Sequence, residues 1–493
     1  MTLATSRQTA CSLLPVPLFL TFFSVSDCID TRVAVIGGGL SGLATAAQLR
    51  LAHPGIKLTV FEAGERVGGV IHTETADGFL IDHGADMFAT NPPHALQLCQ
   101  KLGVEDQLIE PLPDGRGARI VRHGKLMPIP DGFVLMRATK LWPMLKTPLL
   151  TPLGKLRFLA ERFVSADKQS AGDGFDESID SFVRRRMGNE VLDRIVAPLS
   201  AGIYTADITK LSMRATMGPI AEMEQKYGSL ARATVARRRS GEDSVERGST
   251  GARYGQFRAF RGGMIRLIQT LADSLPAGSI RTNTPVGSIV RQNELWNVNT
   301  AGGETEAFDH VVVAAPPAPA SKLLAEIAPV ASEQLAAIES ASAAIVVLGV
   351  KKSDIRADIN TFGFVVPLSE NRKILAGSFA SHKFAGRAPD GHVLIRVFMG
   401  GAMQPELLEQ DDASLVKIVR QELADLIGLQ GEPVVTRVVR WNHAMPQYHV
   451  GHKQRVKQIE DSIAQVPGLS LINNGLGGVG IAPVIRAAGG VSL

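Results

Sequence analysis

Glycines and an acid stand at the spacing of a nucleotide-binding turn near the start of this sequence. An apolar run, Val33–Ile36, leads into Gly37–Gly39, a segment of helical character follows, and a second apolar run, Leu58–Phe61, ends at Glu62. Strand, glycine turn, helix, strand and acid in this order predict one βαβ unit that binds a dinucleotide. The alternative is a glycine-rich turn in an ordinary α/β domain.

Each glycine of this turn has a physical task. Gly37 lets the chain turn tightly off the strand, Gly39 leaves room where a pyrophosphate approaches the backbone, and Gly42 lets the helix pack closely on the sheet. The helix N-terminus offers free N–H groups and its positive dipole end to the phosphates, and an acid about 20 residues further on can bind a ribose. The predicted contacts are Gly37, Gly38, Gly39, Leu40, Ser41, Gly42 and Glu62.

The run after Glu62 continues the site. It adds Arg66 and the pair Gly68 and Gly69, so we expect the chain to pass close over the cofactor a second time. This pair resembles the extension found in the flavin amine oxidase superfamily, and the resemblance implies FAD as the cofactor. Val70 follows the pair where that superfamily often has an arginine, which we interpret as a change that tunes the pocket.

Further segments are expected to reach the same cofactor. Gly84 follows a predicted strand at Gly78–Asp82, and a later predicted strand lies along the adenine. The run Gly475–Pro483 is a second glycine turn with proline at the start of a helix, which offers another helix N-terminus to an electron-rich ring. The added contacts are Arg66, Gly69, Val70, Gly84, Ala85, Asp86, Met87, Val286, Val479, Gly480 and Ile481.

Length and composition limit the class of protein. A chain of 493 residues should form more than one domain, because single cores stop growing at about 250–300 residues. A net charge of +4 without a clustered patch gives no argument for nucleic acid. Cys11, Cys28 and Cys99 are too few for a disulfide framework and lack metal-ligand spacing, so we expect no metal and a reducing compartment.

The first 30 residues form an N-terminal extension. Arg7 precedes an apolar run, Leu13–Val25, which has the layout of a signal peptide. Pro15 and Pro17 interrupt this run, and it is shorter than the roughly 20 residues of a membrane span. We favour an extension or an over-long start over export, because FAD is made and usually loaded inside the cell, and we expect a cytoplasmic protein.

Apolar periodicity divides the rest of the chain into helices and strands. The predicted helices include Ala95–Leu102, Pro152–Phe163, Ile179–Arg186, Leu267–Leu275, Ala331–Glu339 and Asp412–Ile427. The predicted strands include Ile280–Val290, Phe308–Pro316, Ala344–Val350, Gly363–Val366, His392–Met399 and Val434–Arg440.

These elements predict an α/β fold, with a Rossmann-like domain, an inserted helical domain and a separate mixed-sheet α+β domain. By family resemblance, the first is the FAD-binding domain and the last is the substrate domain. The FAD-binding domain is discontinuous and comprises residues 31–91, 256–318 and 459–493, after the extension at 1–30. The helical domain spans 92–228, an exposed polar linker spans 229–255, and the substrate domain spans 319–458.

One stretch of the helical domain, Phe133–Phe163, mixes bulky apolar residues such as Trp142 with basic residues, and no acid occurs in it before Glu161. Such a mixture suits a surface that lies on an anionic membrane, so peripheral contact with the inner face of the cell membrane is one interpretation. A solvated helix face with a core stripe is the other.

A closer resemblance covers nearly the whole chain from Arg32 to Ile485. Its segments follow one another in the order found in the porphyrinogen oxidases of haem synthesis. They are Gly124–Pro130, Ser181–Gly188, Gly202–Asp207 with Leu211–Thr216, Phe384–Pro389, Trp441 with Met445–Tyr448, and Gly478–Ile481.

This resemblance implies a reaction as well as a fold. A porphyrinogen, which is a cyclic tetrapyrrole with reduced bridging carbons, is oxidised to the porphyrin, oxygen accepts the electrons and hydrogen peroxide leaves. The flavin carries the chemistry, so we expect no catalytic side chain. By the resemblance, Gly202 brings backbone against the macrocycle and Phe379 packs on a pyrrole ring. A turn glycine and a core aromatic are the alternatives for these two residues.

Other functions stay open at this point. An amine oxidase would cage its substrate with aromatic residues beside the flavin, but Asn473–Ile485 contains no Phe, Tyr or Trp. A non-catalytic protein that binds flavin or porphyrin is a second alternative. Among substrates, coproporphyrinogen III and protoporphyrinogen IX both fit, and the overall resemblance to the soluble bacterial branch favours the former. A homodimer is compatible with the sequence.

Overall fold

The computed structural model describes residues 31–115, 117–134, 136–166, 175–240 and 254–493. The N-terminal extension and the prediction made for it lie outside these residues. In chain order the strands are β1 Arg32–Ile36, β2 Lys57–Phe61, β3 Thr73–Ala76, β4 Phe79–Asp82, β5 Phe88–Ala89, β6 Leu108–Ile109, β7 Ala118–Arg122, β8 Lys125–Pro128, β9 Phe133–Val134, β10 Arg137–Ala138, β11 Phe257–Phe260, β12 Ile280–Arg281, β13 Val286–Gln292, β14 Leu295–Thr300, β15 Thr305–Phe308, β16 His310–Val313, β17 Ser340–Lys351, β18 Gly363–Val365, β19 Ala376–Phe379, β20 His392–Gly400, β21 Val435–Pro446 and β22 Leu469–Leu471.

The helices range from one turn to four turns and lie between these strands. They are Leu40–Ala52, His94–Lys101, Leu141–Lys146, Pro152–Leu159, Ile179–Met187, Asn189–Val191, Ala197–Tyr204, Met213–Thr216, Gly218–Tyr227, Leu230–Arg239, Ile265–Asp273, Pro317–Leu324, Pro329–Ala336, Ala380–Lys383, Asp412–Ile427, His452–Ala464 and Ile481–Ala488. A π-helical turn, Leu192–Val196, joins two of them.

A five-stranded parallel sheet in the order β12-β2-β1-β16-β22 carries the predicted dinucleotide motif. The Leu40–Ala52 and Ile265–Asp273 helices pack on one face of this sheet, and Trp296 with the Pro317–Leu324 helix packs on the other. Because both faces are covered, Val33–Ile36 is buried throughout and its sequence is uniformly apolar instead of alternating. The predicted α/β fold class is confirmed.

A seven-stranded mixed sheet in the order β21-β17-β20-β19-β18-β7-β8 forms the second layer. Its neighbouring strands are antiparallel except for β18 and β7. One face packs against the Asp412–Ile427 helix, which occupies its predicted bounds between an Asp411 N-cap and Gly428 at φ 65°. The opposite face packs on Phe79 and Ile81 of β4, next to the cofactor motif.

A buried ion network organises the helical region. The side chain of Arg186 has no exposed surface, and its guanidinium nitrogens lie 2.5 Å from carboxylate oxygens of Glu161 and Glu224. Arg185 also lies 2.5 Å from Glu224. Burial would lower the pKa of Arg185, but its hydrogen bonds to Glu224 and Glu177 raise the pKa above its ordinary value. Arg185 therefore stays charged.

The predicted division into domains stays a prediction, but the structure corrects two of its details. The polar segment predicted as a linker begins with a helix, Leu230–Arg239, because Ser229 caps it and Glu161 accepts hydrogen bonds from the Leu230 and Ala231 amides. The segment predicted as helical also supplies β7 and β8, which extend the second sheet by pairing with β18. Sequence periodicity cannot reveal either partner, since both are distant along the chain.

In the part of the chain that the structure describes, no helix combines the length and the apolar character needed to cross a membrane.

The Glu224→Gln substitution tests the buried network. It removes one of two carboxylate partners from the buried Arg186 and from the half-buried Arg185, and breaking a buried pair typically costs about 3–5 kcal/mol. We expect a marked fall in the thermal unfolding midpoint measured by circular dichroism. Asp180→Asn is the matched control on the neighbouring Ile179–Met187 helix, because its partner Arg184 is 43% exposed and such a pair is worth about 0–1 kcal/mol. Equal midpoints for the two variants would contradict a stabilising role for the network.

Candidate flavin site

The glycine turn after β1 combines two kinds of glycine. Gly37 has a φ of 115° and donates a backbone hydrogen bond to Phe61 over 2.8 Å. A Cβ on Gly42 would lie 1.9 Å from the carbonyl oxygen of Gly37, so the contact between helix and strand excludes a side chain there. Gly39 differs, since its φ of −74° is ordinary and no described atom lies within 4 Å of a Cβ placed on it. The fold requires Gly37 and Gly42, whereas only a ligand would require Gly39.

The Leu40–Ala52 helix begins directly at this open space. Gly39 is its N-cap, and the first intrahelical bond runs from the Leu43 amide to the Gly39 carbonyl. The amides of Leu40 and Ser41 precede that bond, so the helix itself offers them no acceptor. Its first turn contains no acid. These free donors and the positive dipole end suit a pyrophosphate. The contact of Leu40 and Ser41 with the cofactor stays a prediction.

Glu62 lies at the end of β2 and is bonded to the same turn. One carboxylate oxygen accepts a hydrogen bond from the Gly38 amide at 2.7 Å, and the other accepts from the Gly64 amide at 2.8 Å. Each carboxylate oxygen can accept more than one hydrogen bond. The side chain is therefore held in place and keeps acceptor capacity for ribose hydroxyl groups.

The predicted second loop lies in direct contact with the first, and the third loop lies in direct contact with the second. The Gly68 amide donates to the Gly38 carbonyl at 2.8 Å, and a Cβ on Gly69 would lie 3.7 Å from the Cα of Gly39. A Cβ on Gly84 would lie 2.4 Å from the carbonyl oxygen of Val70. Three loops that are distant in sequence therefore form one continuous backbone surface.

Arg66 and Val70 of the second loop have different surroundings. The exposed side chain of Arg66 folds back and donates to the carbonyls of Val67 and Gly69, so it stabilises the loop. The side chain of Val70 is 45% exposed and therefore offers apolar surface directly after Gly69.

The C-terminal glycine turn faces the same helix. Gly480 has a φ of 109° and caps the Ile481–Ala488 helix, and a Cβ on it would reach only Pro483 at 4.0 Å. This helix packs on Leu40–Ala52, where Gln48 donates a side-chain hydrogen bond to the Ile485 carbonyl at 3.0 Å. The two helices share one core. A joint grip of Gly39 and Gly480 on one cofactor stays a prediction.

The remaining predicted contacts lie around this surface. Val286 starts β13 and packs on the core that contains Phe61, at the end of β2. Val479 packs against the core of the helical region, and Ala85 packs against the core under the first sheet. Met87 is half-buried beyond Asp86.

Asp86 is buried among cations. Its carboxylate lies 2.7 Å from Lys383 and 3.0 Å from Arg396, which also donates to the Gly84 carbonyl. Burial would raise the pKa of Asp86, but Lys383 and Arg396 lower the pKa well below its ordinary range. The carboxylate of Asp86 is thus fully paired with these cations. Asp86 can therefore contact the cofactor, as predicted from the sequence, only through its backbone or through this ion cluster.

The two predicted substrate residues have different surroundings. Gly202 is an exposed residue of the Ala197–Tyr204 helix, and a Cβ on it would lie 3.3 Å from Val365 of β18. Phe379 has no exposed surface and packs beside Phe364 and His382 in the core on the other side of the sheet. The prediction that Phe379 packs on a pyrrole ring is corrected, because its ring points away from the cofactor surface into this core.

The alternation of side chains along β19 and β20 could have predicted which residues face the site. Because successive side chains of a strand point to opposite faces, Ser378 and Phe398 lie on the face opposite to Phe379 and Ile395. Arg396 lies on the same face as Ser378, its partner in register. Ser378, Arg396 and Lys383 were not predicted from motifs. The positions of Ser378 in β19 and Arg396 in β20 carried the signal for these two residues, and Lys383 ends the Ala380–Lys383 helix that follows β19.

The residues present fit FAD. The open space beside Gly39, the free helix N-terminus and the anchored carboxylate of Glu62 would hold its phosphates and ribose, and Val70 and Gly84 would lie beside the flavin. When bound, a flavin supplies the acceptor for hydrogen removed from a substrate. The described residues of the chain supply position, an apolar surface and buried charge.

The sequence comparison agrees with this geometry. Residues 40–480 match the family of flavin containing amine oxidoreductases, and the chain belongs to that family. The predicted FAD cofactor and the predicted class of enzyme, an FAD-dependent oxidoreductase, are confirmed.

Individual relatives indicate which enzymes of this family the chain resembles. The chain is 32% identical over 460 residues to coproporphyrinogen III oxidase of Bacillus subtilis (strain 168), covering 92% of this chain and 95% of the relative. It is 27% identical to the mitochondrial protoporphyrinogen oxidase of Nicotiana tabacum, covering 92% and 93%. A crystal structure from Exiguobacterium sp. 255-15, provisionally assigned as a protoporphyrinogen oxidase, has a TM-score of 0.80 at 28% identity and covers 93% and 97%. The resemblance to porphyrinogen oxidases is confirmed.

Substitutions at Gly39 and Gly42 test whether the pyrophosphate of FAD approaches this turn. Gly39→Ala should leave the stability of the FAD-free protein within about 0.5 kcal/mol, since the new Cβ meets no described atom, yet weaken FAD binding by about tenfold or more because the methyl group obstructs the pyrophosphate. Gly42→Ala should destabilise the FAD-free protein itself. Thermal unfolding of FAD-free protein and fluorescence titration with FAD measure the two effects.

Gly218→Ala is the control for the introduced methyl group, because its Cβ would reach only the Lys453 side chain at 3.9 Å, on a helix that carries none of the predicted cofactor contacts. An unchanged FAD affinity in Gly39→Ala would show that the pyrophosphate does not approach this residue.

Proposed function

We propose that this protein is an oxygen-using, FAD-dependent oxidase that converts coproporphyrinogen III to coproporphyrin III and releases hydrogen peroxide. The observation that carries the proposal is the 32% identity over 92% of the chain to the Bacillus subtilis coproporphyrinogen III oxidase. Protoporphyrinogen IX is the second candidate substrate, supported by the Nicotiana tabacum relative. A cytoplasmic location and a homodimer complete the proposal.

The site supports a reaction that depends on the placement of substrate and cofactor more than on acid or base catalysis. We place FAD on the surface formed by Gly39, Gly69, Gly84 and Gly480, and the macrocycle over the face of the second sheet beside Gly202. The half-buried Phe398 and the exposed Val70 offer apolar surface to a flat ring system. An apolar site excludes water and favours transfer of hydrogen from carbon to the cofactor.

A substrate assay tests the proposal directly. The FAD-loaded protein is mixed with coproporphyrinogen III and, in parallel, with protoporphyrinogen IX, and porphyrin fluorescence and peroxide are recorded. We expect porphyrin and peroxide from both, with the higher kcat/KM for coproporphyrinogen III. Flavin that stays oxidised during anaerobic mixing while tetrapyrrole remains bound would instead identify a porphyrin-binding protein, and oxidation of primary amines would identify an amine oxidase.

Peripheral membrane contact belongs to the same proposal. Five apolar side chains in the stretch Phe133–Phe163 are more than half exposed, namely Leu141 at 52%, Trp142 at 65%, Leu153 at 76%, Leu156 at 62% and Phe163 at 75%. Cations accompany the aromatic rings, with Lys146 lying 5.1 Å from the Trp142 ring centroid and Arg162 lying 4.8 Å from that of Phe163. Exposed apolar groups beside cations support contact with an anionic bilayer surface.

Vesicle binding tests this surface. Trp142→Ser with Phe163→Ser should weaken binding to phosphatidylglycerol vesicles by at least about tenfold, because each buried side chain of this size is worth about 1.5–3 kcal/mol. Leu295→Ser with Val434→Ser is the matched control, since these side chains are 43% and 44% exposed elsewhere on the molecule. Equal sedimentation of both variants with vesicles would contradict the assignment, and binding to phosphatidylcholine should be weaker throughout.

A further inference from the structure

A cluster of ionisable side chains is buried immediately behind the Gly84 loop. Its members are Asp82 at 2% exposure, Asp86 at 7%, Lys383 at 8%, Arg387 at 1% and Arg396 at 2%. Asp86 is paired with Lys383 and Arg396, while the nearest approach of Arg387 to Asp82 is 3.8 Å. Buried charges are rare unless paired, so this arrangement requires an explanation.

The cluster carries surplus positive charge. It contains three cations and two carboxylates, and the depressed pKa of Asp86 confirms that the environment favours negative charge at that position. Burial lowers the pKa of Arg387, although Asp82 and Asp86 oppose this effect, and a guanidinium remains protonated in proteins. Asp82 is further engaged by the Thr73 hydroxyl and the Met264 amide. Because the cluster is buried, solvent ions screen its field only weakly.

The cluster and the adjacent Ser378 contain hydrogen-bond donors that have no acceptor among the described residues. Within the described structure the Nε atom of Arg396 and the hydroxyl oxygen of Ser378 are buried without a hydrogen-bond partner, while the unpartnered Nε of Arg387 faces the likewise unpartnered Oδ2 of Asp82 at 3.8 Å. Ser378 and Arg396 are neighbours in register on β19 and β20. Buried donors without partners are costly in an empty interior, whereas they are useful beside a group that gains negative charge.

Backbone contacts connect the cluster to the flavin site. Arg396 donates to the Gly84 carbonyl, Gly84 abuts the Val70 carbonyl, and the neighbouring Gly69 lies next to Gly39. The cluster is therefore one backbone layer away from the surface on which we place FAD. Reduction of a flavin by two electrons with uptake of one proton adds a negative charge to the ring, and nearby positive charge favours that state.

We propose that the surplus positive charge of the cluster formed by Asp82, Asp86, Lys383, Arg387 and Arg396 raises the reduction potential of the bound flavin and thereby sets how readily the enzyme takes electrons from its substrate. This inference rests on the proposed placement of FAD. The five residues act as positioning and tuning groups through the field they create, and none of them needs to touch the porphyrinogen.

A charge series with opposite expected signs tests the inference. Asp86→Asn removes a negative charge and should raise the flavin midpoint potential, whereas Lys383→Met removes a positive charge and should lower it. Each shift should correspond to at least about a tenfold change in the equilibrium constant for reduction, which is about 30 mV for a two-electron couple. The potentials are measured on FAD-loaded protein by slow anaerobic reduction against reference dyes, without any porphyrinogen.

Conservative and remote variants separate charge from structure. Lys383→Arg keeps the charge and should keep the wild-type potential, and the double variant Asp86→Asn with Lys383→Met should return close to it. Lys457→Met removes a cation whose side chain is 73% exposed and should have no effect. If Asp86→Asn does not fold, Asp82→Asn replaces it, and this variant should also raise the flavin midpoint potential.

The possible results are distinct. Shifts of the same sign in both single variants, or potentials that do not move in folded, FAD-loaded protein, would overturn the tuning role and leave the oxidase function intact. A wild-type protein that takes up no FAD would overturn the proposed function and this inference together.

Discussion

The close approach of the Leu40–Ala52 helix to β1 is the contact on which the site depends. A Cβ on Gly42 would lie only 1.9 Å from the Gly37 carbonyl oxygen, so the helix can start directly above the end of the strand only if residue 42 has no side chain. That start places free amides beside the open space at Gly39. The other loops of the site are positioned against this turn, because Gly68 and Gly69 pack on it and Gly84 packs on the residue that follows them.

The second sheet completes the site by holding the Gly84 loop from behind. Arg396 binds the Gly84 carbonyl, the Trp441 ring nitrogen donates to the His83 carbonyl, and the Leu80 amide donates to the Arg387 carbonyl. The apolar contact of Phe79 and Ile81 with the same face adds to these bonds. One layer therefore supplies the nucleotide-binding turn, and the other supplies Arg396 and an apolar face that pack behind it.

Local signals predicted the elements whose causes are local. The Asp412–Ile427 helix has its own cap, its own C-terminal glycine and an apolar stripe, so its bounds followed from the sequence. The Leu230–Arg239 helix has a polar composition and owes its place to Glu161, which lies distant in the chain, so it was mistaken for a connector. Phe379 was assigned to the substrate by motif position, but the period of two along β19 turns it into the opposite core.

The sequence by itself determined the cofactor class and the order of the loops that meet it, because glycine spacing reflects backbone conformations and close approaches that no other residue allows. The tertiary structure alone decided which charges stand behind those loops. Asp86 and Arg396 belong to distant parts of the chain, and only the packing of the second sheet on the first brings them within hydrogen-bond distance. Long-range electrostatics of this kind depends on distances in space, which composition and spacing do not encode.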